Sequence, residues 1–149
     1  AKNKPLLGVC VGEQMLFGHA EEGNSHGLGW FAGEVVRFRV DDARDENGAP
    51  LKVPHMGWNT VKQTRPHALW ANIPDNTHYY FVHSYYVNPF DADLTVGESV
   101  YGAPFTCAVA RENIFATQFH PEKSGRPGLN LLRNYHKYCQ NSREARHAQ

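Results

Sequence analysis

The fold is decided by residues 6–14, which have the sequence LLGVCVGEQ. The apolar run before Cys10 predicts a buried strand, and the pattern after it predicts a helix over Glu13–His19. Gly8 and Gly12 leave room for a sharp strand-to-helix turn, the geometry of a nucleophile elbow. A cysteine at that turn lies at a helix N-terminus, where free N–H groups favour the thiolate. Free cysteines are also common as small buried core residues, so this segment alone supports both interpretations equally.

A second segment far along the chain favours the nucleophile. Ile114–Phe119 reads as another buried strand, and His120-Pro121-Glu122 follows it directly. A cysteine nucleophile needs a base, and the base needs a third group that orients it. His120 and Glu122, two residues apart on extended backbone, project to one side and can fill these roles. The alternative is an exposed turn without chemistry, and the two segments support each other only if their strands are neighbours in one sheet.

Taken together, these segments resemble the triad glutamine amidotransferases of class I. Three further blocks, PHMGWN at 54–59, YFVHSYY at 80–86 and TQFHPEKSG at 117–125, narrow the resemblance to the glutaminase subunits of imidazole glycerol phosphate synthase. The blocks follow the family's order from near residue 5 to near residue 138, so the resemblance covers almost the whole chain. Another triad amidotransferase, serving vitamin B6 or anthranilate synthesis, is the alternative, and the PHMGWN block argues against it.

The resemblance implies a fold and a set of site residues. The fold would be α/β, with a mostly parallel central sheet, flanking helices and additional antiparallel strands. Residues 1–140 would form the amidotransferase domain and residues 141–149 a polar tail. The implied catalytic triad is Cys10, His120 and Glu122, and the oxyanion donors are the backbone amides of Val11 and Gly12. The implied contacts to the substrate, L-glutamine, are Gln14, Glu22, His83, Ser84 and Tyr85.

The resemblance also implies a partner protein. Ammonia released into bulk water would be protonated and lost, so a domain of this kind docks on a synthase, here a (β/α)8-barrel cyclase, as a heterodimer. The residues expected at that interface are His55, Met56, Trp58, Asn59 and Lys123. An indole is a common anchor in interface pockets, although core packing is the alternative for Trp58. No cofactor is expected, and His55, His78 and His83 show no metal-ligand spacing.

Length and composition limit the classes of protein to which this chain can belong. The chain has 149 residues, a length that suggests one domain. Fifteen basic and fifteen acidic residues cancel, so there is no charge signature of nucleic-acid or membrane binding. No apolar run approaches the length of a transmembrane helix. Three widely spaced cysteines argue for a reducing compartment and a cytoplasmic location.

Cys10 lies much closer to the start of the sequence than the nucleophile of the family does. In the family the nucleophile follows several strands and helices and a glycine-rich oxyanion turn, whereas here it is the tenth residue. We therefore interpret the chain as the C-terminal two-thirds or so of a domain, either a fragment or a natural truncation. A non-catalytic fragment that keeps the triad residues is accordingly a third hypothesis.

Further elements follow from local patterns. Strands are expected over Glu34–Val40, Thr77–Val82 and Ser99–Arg111, the last interrupted at Gly102-Ala103-Pro104. Loops are expected over 23–33 and 41–50. Apolar residues at a three-to-four spacing predict an amphipathic helix over Gly128–Cys139, and the last ten residues are polar and expected to fray.

Overall fold

The computed structural model of the protein describes residues 4–148 and contains a mixed sheet with two helices. The helices are α1 (Val11–Gln14) and α2 (Gly125–His147). The strands are β1 (Leu6–Val9), β2 (Phe17–Ala20), β3 (Ser25–His26), β4 (Phe31–Arg37), β5 (His55–Gln63), β6 (Thr77–His83), β7 (Tyr85–Pro89), β8 (Thr95–Tyr101), β9 (Ala103–Arg111) and β10 (Ile114–Thr117). None of the helices within residues 4–148 is long and apolar enough to cross a membrane.

The strands form one sheet in which both directions occur. The order is β3-β2-β4-β7-β9-β8-β5-β6, and β10 joins β9 and then β1. The pairs β1–β10 and β2–β4 are parallel, while the other strand pairs are antiparallel. The α/β class is confirmed, but a mostly parallel sheet does not hold for the part of the chain that the structure describes. Short connections such as the one at Gly102 allow only antiparallel neighbours, because a parallel pair needs a long crossover.

The pairing of β1 with β10 brings the two informative segments together. Val9 lies opposite Thr117, and the Cys10 amide donates a 2.8 Å hydrogen bond to the Thr117 carbonyl oxygen. Parallel strands end at the same edge of a sheet, so the residues that follow β1 and β10 share that edge. The two strands are therefore neighbours, as the nucleophile hypothesis requires.

Two apolar clusters hold this edge in place. One contains Phe81, Phe105 and Phe119 and is covered by α2 through the fully buried Leu131. The other lies around Phe17 and holds the segment after the turn against β4. Aromatic pairs in the first cluster meet edge to face, an arrangement that adds to the burial of their area.

One helix prediction was wrong, and the other was correct but too short. The helix expected over Glu13–His19 ends at Gln14, and Phe17–Ala20 form β2 instead. Leu16 and Phe17 are both buried there, so tertiary pairing with β4 outweighs the helical spacing. The helix expected over Gly128–Cys139 is longer at both ends and continues through the polar residues to His147. Basic residues in its last turn complement the helix dipole.

The strand predictions were closer to the structure. Thr77–Val82 matches β6, and the strand expected over Ser99–Arg111 is divided into β8 and β9 at Gly102, one residue from the centre of the expected break. The loop expected over 23–33 contains the short strand β3 and the start of β4. The loop at 41–50 is mostly exposed and is closed by a single bridge between Arg44 and Pro50.

Candidate active site

The backbone at Cys10 has the strained geometry of a nucleophile elbow. Its φ of 57° and ψ of −111° are outside the regions that L-residues normally adopt. A Cβ atom added to Gly8 would lie 3.0 Å from the backbone of Gly12 and 3.1 Å from the Ala116 side chain. Gly8 therefore has to be glycine for β1 to pass so close to α1 and β10. The sharp turn leaves the Cys10 side chain only half buried at the edge of the sheet.

The imidazole and the carboxylate of the second segment form a direct pair. His120 Nδ1 lies 2.5 Å from Glu122 Oε1, and 16% of the His120 side chain and 49% of the Glu122 side chain are exposed. A carboxylate can only accept hydrogen bonds. His120 Nδ1 therefore carries the proton and donates a hydrogen bond to Glu122. The other ring nitrogen, Nε2, is then the basic one. Glu122 thus fixes the tautomer that a general base needs.

The turn that carries this pair is tied down on two sides. The His120 amide donates to the Tyr80 carbonyl oxygen at 3.0 Å, and the buried Ser124 hydroxyl donates to the His120 carbonyl oxygen at 2.5 Å. The same hydroxyl accepts from the Tyr80 amide at 2.9 Å. A Cβ atom on Gly128 would meet the Pro121 carbonyl oxygen at 1.9 Å, so this glycine lets α2 pack against the turn. Strand β6 and helix α2 therefore both hold His120 in position.

The expected lowering of the Cys10 pKa is not found. Burial raises the pKa of the thiol above its usual value, and the negative charge of Glu122 adds to the rise. The Val11 amide and the Gln118 side chain lower the pKa, but they do not compensate. Helix α1 has only four residues, so its dipole is small. Cys10 therefore rests as a thiol and depends on a base such as His120 to ionise it.

Two amide side chains connect Cys10 to the next strands. Gln118 Nε2 lies 3.7 Å from Cys10 Sγ, and Gln14 Nε2 lies 2.9 Å from Gln118 Oε1. Gln14 Nε2 also donates to the Tyr85 carbonyl oxygen at 3.2 Å. We did not single out Gln118 from the sequence. A glutamine inside the apolar run IFATQF, where it is fully buried, was the available signal.

His83 is a buried residue whose ring is held by hydrogen bonds to neighbouring groups. Its Nδ1 donates to the Tyr85 carbonyl oxygen at 2.8 Å, and its Nε2 accepts from His55 Nδ1 at 2.9 Å. His55 Nε2 in turn accepts from Asn59 at 3.3 Å. Burial lowers the pKa of His55 to about 3 and that of His83 to about 4, so both rings are neutral at physiological pH. Both nitrogens of the His83 ring are thus engaged with other residues, which leaves the main chain of His83 for the contact to glutamine that the resemblance implies.

The other residues expected to contact the substrate differ in their exposure and in their position in the fold. Ser84, between β6 and β7, and Tyr85, the first residue of β7, are partly exposed, and the Tyr85 carbonyl oxygen accepts from the Gln14 side-chain amide. Glu22 lies in an exposed 3-10 turn, Glu22–Asn24, beyond β2. Val11 is 58% exposed, and its amide faces the Cys10 sulfur.

The residues expected at a partner interface divide into two groups. Met56 and Trp58 are 62% and 55% exposed on one face of β5, and Lys123 is exposed beside the catalytic turn. Trp58 therefore does not belong to the core. His55 is buried beneath this face, so the expectation that it contacts a partner directly is corrected. Asn59 is partly exposed and donates to the Val100 carbonyl oxygen at 2.8 Å. No group of three or more metal-ligating side chains occurs within residues 4–148.

Comparison with known proteins gives the family of this arrangement. The description "Glutamine amidotransferase class-I" matches residues 1–137. The chain belongs to the class-I glutamine amidotransferase family. It is 61% identical over 135 residues to the imidazole glycerol phosphate synthase subunit HisH of Dechloromonas aromatica, covering 91% of this chain and 62% of that protein. It is 58% identical to the HisH subunit of Neisseria gonorrhoeae, over 90% of this chain and 63% of that protein. The chain thus spans less than two thirds of the length of these relatives.

Two solved structures have a similar fold. A putative GMP synthase subunit from Thermoplasma acidophilum has a TM-score of 0.66 at 22% identity, and the match covers 97% of this chain and 61% of that chain. A glutamine amidotransferase from Thermotoga maritima has a TM-score of 0.56 at 19% identity, covering 95% of this chain and 51% of that chain. At these identities the similarity concerns the fold alone.

A buried acid next to the nucleophile is the second residue that the sequence did not reveal. Glu13 is fully buried, and neither oxygen of its carboxyl group has a hydrogen-bond partner within the described residues. Burial raises the pKa of Glu13 well above its usual value. The folded state therefore keeps a proton that the unfolded chain loses near its ordinary pKa of about 4.3. Stability should accordingly fall as the pH rises from about 4 toward the folded-state pKa.

This predicts that Glu13→Met stabilises the protein. Methionine has a similar length and leaves no unpaired polar group, so we expect a gain of about 1–3 kcal/mol in the free energy of unfolding at pH 7. The gain should be smaller at pH 3, where Glu13 is protonated in both the folded and the unfolded state. Urea unfolding at the two pH values measures it. Glu13→Gln isolates the pH-dependent part, and Glu46→Met in the exposed loop is the control. A loss of stability, or a gain independent of pH, would contradict the prediction.

Proposed function

We propose that this chain is the glutamine-hydrolysing part of an imidazole glycerol phosphate synthase in histidine biosynthesis. It would convert L-glutamine to glutamate and ammonia and pass the ammonia to a cyclase subunit. One observation carries the proposal: Cys10 and the His120–Glu122 pair follow neighbouring parallel strands, at one edge of the sheet. The identity of 61% to a HisH subunit supports this synthase over other triad amidotransferases. A reactive thiol is suited to a reducing compartment, so we place the reaction in the cytoplasm.

The chemistry would begin with the proton of the Cys10 thiol. His120 Nε2 accepts this proton, and the thiolate sulfur attacks the side-chain amide carbon of glutamine. The carbonyl oxygen becomes an oxyanion, which the Val11 amide can stabilise, with Gly12 as the other proposed donor. His120 returns the proton to the amide nitrogen, the carbon–nitrogen bond breaks, and ammonia leaves. A glutamyl thioester remains on Cys10.

Water completes the reaction. His120 Nε2 takes a proton from the water molecule, and the resulting hydroxide attacks the thioester carbon. The carbon–sulfur bond breaks, the sulfur recovers the proton from His120, and glutamate is released. Glu122 stays ionised and stabilises the imidazolium that forms in each half of the cycle.

The hydrogen bonds of Gln14 limit how it could hold the substrate. Its nitrogen already donates to the Tyr85 carbonyl oxygen and to Gln118 Oε1. Only its own oxygen is left as an acceptor, so Gln14 would bind an N–H group of glutamine. Ser84 and the main chain before Tyr85 would contribute further contacts. Glu22 is proposed to attract the ammonium group of the substrate across its exposed turn.

The proposed partner is a (β/α)8-barrel cyclase that docks on the outer face of β5. Met56 and Trp58 alternate with buried residues along this strand and expose large apolar side chains. They line an open groove of about 580 Å³ that also contains Asn59 and residues of the loop at 41–50. Lys123 would contribute a charge beside the catalytic turn. A partner on this face would cover apolar area that is otherwise in water.

We expect Trp58→Ala to weaken binding to the cyclase by about 2 kcal/mol or more, the usual effect of a buried aromatic anchor. Calorimetry with the purified cyclase measures the change. Phe90→Ala is a matched control, because Phe90 is 71% exposed at the end of β7 and is not part of this face. A large loss of thermal stability with unchanged affinity would place Trp58 in a structural role instead.

A coupled assay tests the function as a whole. The full-length chain and the cyclase are supplied with the cyclase's nucleotide substrate and either glutamine or ammonium. Synthesis that depends on glutamine and on both proteins supports the proposal. Glutamate release without synthesis would indicate another triad amidotransferase, and synthesis only with ammonium would indicate a non-catalytic chain.

A further inference from the structure

Two side-chain amides lie beside Cys10, and their hydrogen bonds fix which end of each amide is the nitrogen and which is the oxygen. The Tyr85 carbonyl oxygen can only accept, so the Gln14 atom that lies 3.2 Å from it must be the nitrogen. The same nitrogen lies 2.9 Å from Gln118, so the Gln118 atom that faces it must be the oxygen. The remaining atom of the Gln118 amide, its nitrogen, therefore faces the Cys10 sulfur at 3.7 Å. One backbone carbonyl thus decides that Gln118 donates to the sulfur.

The carbonyl that sets this direction is itself held in place. Tyr85 O also accepts from His83 Nδ1 at 2.8 Å, and His83 is hydrogen-bonded to His55. Gln118 is fully buried, and its backbone N–H donates to the Cys107 carbonyl oxygen on β9 at 2.8 Å, which fixes the main chain that carries the side chain. Its side chain is consequently oriented from both ends before any substrate binds, and preorganised donors of this kind are the effective ones in catalysis.

We infer that Gln118 is a catalytic residue, whose side-chain amide donates a hydrogen bond to the Cys10 sulfur and stabilises the thiolate. This inference rests on the proposed function of Cys10 as the nucleophile. Gln14 acts through Gln118 and is a positioning residue in this respect. The thiol is a weak acceptor, whereas the thiolate is a charged one, so the hydrogen bond strengthens when the proton leaves for His120.

The surroundings of Cys10 show why a neutral donor is useful there. Burial of the thiol and the negative charge of Glu122 both oppose its ionisation. His120 has to accept the proton, and the nearby His83 is kept neutral by burial. A cationic side chain beside the sulfur would also repel the imidazolium of His120. An amide stabilises the thiolate without this repulsion.

The pH dependence of alkylation tests the inference. The full-length protein reacts with iodoacetamide, in which the Cys10 sulfur displaces iodide, and peptide mapping separates Cys10 from the other two cysteines. Gln118→Met keeps the volume but removes the donor. The hydrogen bond to a charged sulfur is worth roughly a ten- to a hundred-fold change in the thiol–thiolate equilibrium. We therefore expect the midpoint of the pH profile to rise by about one to two pH units, and the kcat for glutamine to fall while KM changes little.

Other variants separate this effect from a loss of structure. Gln63→Met is the matched control, because Gln63 Nε2 donates to the Ile73 carbonyl oxygen far from Cys10, and its midpoint should be that of the wild type. If Gln118→Met does not fold by circular dichroism, Gln14→Leu, at a half-buried site, should raise the midpoint in the same direction. An unchanged midpoint in a folded Gln118→Met protein, or in Gln14→Leu when that variant has to be used, would overturn the inference. Failure of the proposed function is a separate result, since a wild type without glutaminase activity still has a measurable midpoint.

Discussion

Replacing Cys10 by alanine should abolish glutamine hydrolysis by the full-length protein and leave ammonium-dependent synthesis by the cyclase intact. The sulfur is the atom that forms the thioester, and no neighbouring group can take its place. Loss of a triad nucleophile costs on the order of a million-fold in kcat in a serine enzyme. Glutamate release should accordingly fall below detection. Cys10→Ser should be equally inactive, because a hydroxyl is far less acidic than a thiol and this site is tuned to sulfur.

The other two cysteines are built-in controls for this result. Cys107 is completely buried in β9, and burial raises the pKa of its thiol well above the usual value. Cys139 is half exposed on α2. Cys139→Ala should keep full activity, and an electrophilic glutamine analogue should label Cys10 alone. Glutaminase turnover retained in pure Cys10→Ala protein would disprove the assignment of the nucleophile.

The catalytic segments could be found from the sequence because their signals are local. Gly8, the apolar run before Cys10 and the polar ending after Phe119 each mark a strand that stops at a turn. The structure adds the register that pairs Val9 with Thr117. Register depends on which strands become neighbours, and a single segment does not contain that information.

The error after Cys10 has a different cause. The pattern after Cys10 is typical of a helix, but Phe17 begins β2, which pairs with β4, and Leu16 and Phe17 are both buried there. Shortening α1 to four residues removes most of the dipole on which the expected thiolate depended. The short helix thus removes one contribution that would favour the thiolate, while burial of the thiol is the main cause of its raised pKa.

Two residues near Cys10 were not found from the sequence, because their roles depend on burial and on hydrogen bonds. Gln118 and Glu13 are polar residues in apolar surroundings, which is visible in the sequence. Which atoms they face is visible only in three dimensions. His83 shows the same dependence, since the hydrogen bonds of its two ring nitrogens to His55 and Tyr85 are visible only in the structure.

Replacing Glu122 by glutamine should lower kcat far more than it raises KM. Glutamine keeps the shape and can still accept from His120 Nδ1 through its oxygen. It lacks the charge that stabilises the imidazolium, and that charge matters only after the proton has left Cys10. An interaction that is made in the transition state and not in the ground state affects kcat and kcat/KM alike. Steady-state kinetics with varied glutamine measures both constants.

The size of this effect follows from the exposure of the carboxylate. A buried acid in a serine triad is worth about ten-thousand-fold in kcat when it is changed to its amide. The Glu122 side chain is 49% exposed, so water screens part of its field, and we expect a smaller fall of roughly ten- to a thousand-fold. Glu21→Gln is the control, since Glu21 pairs with Arg39 on the surface, away from the triad. If KM alone rose, Glu122 would be a contact to the substrate, and its 2.5 Å hydrogen bond with His120 would not serve to stabilise the imidazolium.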